Sequence, residues 1–207
     1  MNSTMSNIYN ILDWITKLAY INLLWIVFTL AGGVILGIYP ATIAMFASVR
    51  EWLHGKSDLP VLKTFLGFYK HDFLKSNLIG LFLNILFVFI LIDIYYIQLN
   101  LNESLSWTYI PLFAFMIFVI LFLLYIFPCF VHYDLKIVPL MKNALLIMII
   151  SPIHSFLMIV CIVSLIFIAQ AIPALFFIFG SVTYAFITTW ISQHAFDRVQ
   201  NKKMLKD

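Results

Sequence analysis

Charged residues make up only 10% of the chain, whereas the surface of a soluble domain needs roughly 25–35%. That shortage excludes a soluble globular protein. The net charge of +3, spread over several short loops, excludes the concentrated basic patch that nucleic acid requires. Cysteine is nearly absent. Cys129 and Cys161 both stand in apolar surroundings outside any metal or redox spacing, which reads as two inert thiols. The histidines His54, His71, His132, His154 and His194 form no His-x-x-x-His or His-Glu-x-x-His pattern, so no metal site is expected. A Gly-x-Ser-x-Gly elbow, a P-loop and a dinucleotide fingerprint are also missing, so neither an enzyme nor a cofactor is expected. The Glu-Ala-Ala…Gly loop of binding-protein-dependent permeases is absent too, which argues against this chain being such a permease. The opening MNSTMSNIYNILDW has no basic n-region and no small-residue cleavage site follows, so no cleaved signal peptide is expected.

What the chain has is hydrophobicity. Of its 207 residues 64% are apolar, 21 are Phe and 10 are Tyr, and the mean hydropathy is +1.05, the composition of an integral membrane protein. Helices satisfy their own backbone in lipid, so the expected class is an all-α polytopic membrane protein forming a single membrane domain over 1–207. A crossing helix needs about 20 mostly apolar residues. Five stretches qualify or nearly do: 20–39, 77–97, 109–130, 153–172 and 174–194.

Basic residues set the orientation. The connection after the first span holds Arg50, Lys56, Lys63, Lys70 and Lys75, a later one Lys136 and Lys142, and the tail 195–207 holds Arg198, Lys202, Lys203 and Lys206. Placing these in the cytoplasm puts eleven of the twelve basic residues inside and leaves Lys17 outside. Five spans then run from an outside N-terminus to a cytoplasmic C-terminus. An alternative starts from residues 1–19, where Ile8, Ile11, Leu12, Ile15, Leu18 and Ala19 have the spacing of an interfacial amphipathic helix. Leu23 to Tyr39 would then form a re-entrant Gly-rich hairpin that returns to its starting side, leaving four true spans and Lys17 inside.

The stretch TLAGGVILGIYPATIAM is the least regular part of the first span. Thr29, Gly33, Gly37 and Ala41 recur every four residues and predict one stripe of small side chains for close helix packing. Pro40 predicts a break after Tyr39 and the start of a new helix. Met45, Phe46, Val49, Trp52 and Leu53 give that helix an apolar face, and Gly55 a stop. Residues 40–75 are expected as a cytoplasmic, amphipathic helical loop. Within it, VLKTFLGFYKHDFLKS gathers Val61, Leu62, Phe65, Leu66, Phe68, Tyr69 and Phe73 on one arc, with Lys63, Lys70, His71 and Lys75 opposite. Such a helix can lie on anionic lipid, dock on its own bundle, or dock a partner through Phe68, Tyr69 and Phe73. Polar residues inside the spans are few. Asn84 is expected to make an interhelical hydrogen bond, Asp93 is a candidate substrate or proton residue near the outer end, and His132-Tyr133-Asp134 closes the third span.

The Asn-Leu-Leu-Trp of residues 22–25, the PATIAMFASVREW of 40–52, the FYKHDFLKSNLIG of 68–80 and the FPCFVHYD…LMKNAL of 127–145 together resemble the YesL family of small bacterial membrane proteins. The resemblance implies a multi-spanning protein of the bacterial inner membrane, often encoded beside sugar-uptake and polysaccharide-degradation genes. It implies no established activity and therefore no catalytic residues. The expected role is an accessory or regulatory component of carbohydrate uptake that acts through protein contacts. The lipid bilayer and carbohydrate ABC transporter subunits or other membrane proteins are the expected partners, with a small transporter for a sugar-related solute as the alternative function.

Overall fold

The computed structural model describes residues 3–99 and 109–204, and these contain eight α-helices and no strand. They are α1 (Ser3–Ala31), α2 (Ile38–Leu53), α3 (Val61–His71), α4 (Phe73–Leu99), α5 (Tyr109–His132), α6 (Ile137–Ile150), α7 (Pro152–Ala171) and α8 (Pro173–Met204). Five of them, α1 (over Ile8–Ala31), α4, α5, α7 and α8, are long and apolar enough to cross a membrane. The all-α polytopic class is as expected. Much of the surface of α4 and α7 is exposed apolar side chain, the surface a helix presents to lipid.

The N-terminal third differs from expectation. Residues 3–31 form one uninterrupted helix, so among the described residues no break separates the expected interfacial segment from the first span. The break falls at Gly32 to Gly37, ahead of Pro40, which lies inside the first turn of α2 where its missing N–H costs nothing. After the break the chain folds straight back. Trp25 Nε1 donates to Thr42 Oγ1 at 3.0 Å, and Trp14 meets Trp52 edge-on with ring centroids 5.8 Å apart. These contacts define an antiparallel helical hairpin whose two open ends lie at the same end of the bundle.

Helix α2 is the centre of the molecule, which corrects the expectation of a surface helix. Pro40, Ala41 and every residue from Ile43 to Val49 are buried, and α2 packs against α1, α3, α4, α5 and α8. A helix apolar on all faces is a core helix. Its alanines and Ser48 let neighbours approach closely from every side, which is how helices associate when lipid is as apolar as the side chains. Phe46 joins the two halves of the core, with its ring 5.4 Å from Phe127 of α5 and 5.8 Å from Tyr184 of α8.

One end of the bundle gathers the polar termini. Lys75 at the start of α4 lies 3.5 Å from Asp134 beyond α5, and the His132 ring is 4.6 Å from Phe196 of α8. The junction between α7 and α8 is the single residue Ile172 at the other end, the tight turn that Pro173 permits. Helix α6 was not foreseen. Its buried Leu140, Ala144, Ile147 and Met148 follow an i, i+4, i+7, i+8 pattern that lies within an apolar stretch too short to span.

This geometry predicts that the start of α1 and the α2–α3 connection face the same side of the membrane. Single cysteines at Asn10 and Lys56 should react with an impermeant thiol reagent from one side only, and one at Ile172 from the other. Reaction of Asn10 and Lys56 from opposite sides would overturn the hairpin topology.

Candidate functional site

The site begins at the hairpin tip. At the end of α1, Val34 N–H donates to Thr29 O at 2.9 Å and Gly33 N–H to Leu30 O at 3.0 Å, the paired bonds of a Schellman motif. Gly33 takes φ +71° and Val34 φ +64°. The first is the normal residue for that position, whereas a β-branched residue there is strained. The same motif ends α2, where Gly55 has φ +81° and Lys56 N–H donates to Glu51 O at 3.0 Å, so the expected stop at Gly55 holds.

Thr29, Gly33, Gly37 and Ala41 therefore do not form a stripe along one helix, because the chain reverses between them. Thr29 lies on α1, Gly33 in the turn, Gly37 at the cap of α2 and Ala41 within α2. Close packing is nevertheless real at two of them. A Cβ on Gly37 would land on the Thr29 carbonyl and come within 2.8 Å of Phe28 O. Nothing stands within 4 Å of one on Gly33, whose requirement is the backbone angle.

Helix α3 closes over this tip. Phe65 is fully buried, Phe28 lies 5.5 Å from Phe65 and 5.1 Å from Tyr69, and Tyr69 lies 5.7 Å from Phe73. Tyr69 Oη donates to Phe28 O at 3.2 Å. Burial holds the Tyr69 pKa above the usual tyrosine value. Of the three readings of α3, its own bundle takes the aromatic arc. Tyr69 and Phe73 thus make ring contacts within the molecule while remaining partly exposed, and Phe68 lines a cleft described below.

Asn84 accepts a short hydrogen bond from the Tyr39 hydroxyl, the interhelical contact expected of it. Gly80 lets the two helices meet there, since a Cβ on it would collide with the Tyr39 ring. Asp93 is half-buried further along α4 and is not brought together with Asn84 or with the hairpin tip.

A second polar group, which sequence spacing could not assemble, lies at the opposite end of α2. Arg50, His71, Asp72, Lys75, His132, Tyr133 and Asp134 line a cleft of about 230 Å³ with Phe68 and Phe130. Four separate segments supply them. No three acidic, histidine or cysteine side chains converge as a metal site among the described residues.

These features define a polytopic α-helical membrane protein with a buried helical hairpin at its centre. A family model described as a protein of unknown function, DUF624, matches residues 18–94, which cover the hairpin, α3 and most of α4. The chain is 40% identical to the uncharacterized protein YteU of Bacillus subtilis over 177 residues, spanning 83% of this chain and 78% of YteU. It is 31% identical to YesV of the same organism over 202 residues, 97% of each chain, and 35% identical to YesL over 144 residues, 66% of this chain and 64% of YesL. The chain belongs to this YesL-like family, whose activity is unknown. The YesV match extends through α7 and α8, where no shared motif was recognised from sequence. No solved structure matches.

The tip geometry ranks substitutions. Gly37→Ala should destabilise by about 3 kcal/mol through overpacking, Gly33→Ala by about 1 kcal/mol through backbone strain, and exposed Ile35→Ala by under about 0.5 kcal/mol. Val34→Gly should stabilise by about 1 kcal/mol. Melting temperature in detergent measures all four, and equal tolerance of Gly37→Ala and Ile35→Ala would contradict the packed tip. Tyr69→Phe should cost about 1 kcal/mol by the same measurement, since it removes one hydrogen bond and little packing.

Proposed function

We propose that this protein is a non-enzymatic accessory or regulatory component of bacterial carbohydrate uptake, acting by side-to-side contacts with other proteins of the inner membrane. Its C-terminus lies in the cytoplasm under the same reading, because the basic residues of the connections and tail favour that side. The family resemblance supplies the association with carbohydrate.

The observation that carries the contact reading is a groove of about 350 Å³ between α7 and α8, lined by Ser164, Ala169 and Thr183 among larger apolar residues, with Gly180 beneath the Phe176 ring. Its rim residues Val160, Ile168, Leu175 and Phe176 are exposed. Small residues on a lipid-facing groove let another helix approach to backbone distance, where van der Waals packing and hydroxyl hydrogen bonds hold it. Lipid chains fill such a groove less well than a helix of complementary shape.

A photoreactive residue at Ser164 should therefore crosslink, in native membranes, to a subunit of a carbohydrate permease, while one at exposed Phe156 should capture lipid. Lipid alone from both positions would overturn the contact reading. Solute flux through liposomes containing only this chain would overturn it in favour of a small transporter.

A further inference from the structure

The cleft at the polar end of the bundle holds buried polar atoms that have no hydrogen-bond partner among the described residues. Arg50 Nε and His132 Nδ1 are both buried and have no hydrogen-bond partner, an arrangement that is costly unless something fills it. The Arg50 guanidinium reaches Glu51 only at 3.5 Å, and Glu51 is engaged at 2.8 Å by Lys56. Lys75 Nζ lies 3.5 Å from Asp134 and 5.0 Å from the centre of the Phe130 ring. Each cation is thus held at the edge of hydrogen-bonding distance.

The carboxylates around the cleft neutralise this donor set only in part. Asp72 is paired with His71 at 3.0 Å, Asp134 meets Lys75 from a fully exposed position at the rim, and Asp197 of α8 lies near enough to His132 to act on its charge. Arg50, Lys75 and His132 all line the cleft. A tetrahedral oxyanion accepts from several converging donors at once, and arginine binds it through more than one N–H.

The cleft does not end at its polar wall. Lys75 and Asp134 also line a neighbouring groove of about 590 Å³, whose other walls are Leu135, Lys136, Ile137, Val138 and Pro139. A polar cleft therefore adjoins, across the shared Lys75 and Asp134, a shallow and mainly apolar surface at the start of α6. That sequence of surfaces matches an amphiphile with a phosphate at one end and hydrocarbon at the other. A free phosphate would leave the apolar groove unused.

We propose that this cleft binds one phospholipid, with the phosphate held by Arg50, Lys75 and His132 and the glyceryl and acyl portion laid along Leu135, Ile137, Val138 and Pro139. Arg50 comes from the central helix α2, Lys75 from α4 and His132 from α5, so the bound phosphate ties three helices together at the membrane boundary. The assignment stands independently of the contact groove between α7 and α8.

The test is native mass spectrometry of the full chain released from detergent, with phosphatidylglycerol, diacylglycerol or inorganic phosphate added separately. Phosphatidylglycerol should be retained and diacylglycerol, which lacks the phosphate, should not. Lys75→Gln and Arg50→Gln should each reduce retention about tenfold, the scale of one charge-assisted hydrogen bond, and Lys63→Gln on the exposed side of α3 should leave it unchanged. Should Arg50→Gln fail to fold, the partly exposed Lys75→Gln decides alone. Equal retention of diacylglycerol, unchanged retention in Lys75→Gln, or binding of inorganic phosphate with no phospholipid retained would each overturn the proposal.

Discussion

A backbone that reverses among apolar helices has no water to satisfy its N–H and C=O groups, and each group left unpaired costs several kcal/mol. The rest of this structure depends on how the α1–α2 hairpin meets that constraint. The Schellman bonds to Thr29 and Leu30 engage the first freed groups, Ile38 N–H returns to Val34 O at 2.9 Å, and the Tyr69 hydroxyl adds a donor to Phe28 O. With the reversal satisfied, α2 can be placed in the interior, where it touches five other helices. The positive angles at Gly33 and Val34 are the conformational cost of so short a return.

The polar groups are divided between two places that the same hairpin separates. Its tip carries aromatic rings and one hydroxyl on one side and exposed apolar Val34, Ile35 and Leu36 on the other, while its open end carries Arg50 and His54 toward the ends of α5 and α8. Helix α2 is therefore a strut between an apolar tip and a polar base. The Tyr39–Asn84 hydrogen bond fixes α4 against this strut, so α4 delivers Lys75 to the base in register with Asp134.

Much of the fold was legible in the sequence because hydropathy over long helices is a strong signal. The later spans, the close of α5 at His132, the entry to α7 at Pro152 and the stop at Gly55 were all readable. The hairpin was harder. Residues 20–39 look like one span by hydropathy, and only the backbone angles at Gly33 and Val34 show where the helix ends. The four-residue repeat from Thr29 to Ala41 was a true pattern with a different cause: Gly33 serves a turn, whereas Gly37 serves packing across that turn. Met45, Phe46, Val49, Trp52 and Leu53 suggest one apolar face for α2, but its charges, Arg50 and Glu51, cluster near one end, a distribution that marks an end of a helix and not a face. The phosphate-binding cleft was not legible at all, since Arg50, Lys75 and His132 are far apart in the chain and meet only through the crossing of three helices.

The first and last helices of the chain are packed against each other. Asn22 of α1 donates to Phe177 O of α8 at 3.0 Å across a separation of 155 residues, and Val182 and Ala185 share the buried cluster that holds Ile21, Leu24 and six residues of α2. During synthesis the hairpin emerges long before α8 exists, and contacts of such separation form only after the intervening chain has been made. The central helix of the finished molecule must therefore wait in the membrane with one side unfilled until the ribosome has delivered the final span. Arrival of α8 closes the central packing, and a nascent chain that stops before α8 leaves α2 packed on α1, α3, α4 and α5 but open on the face that α8 covers.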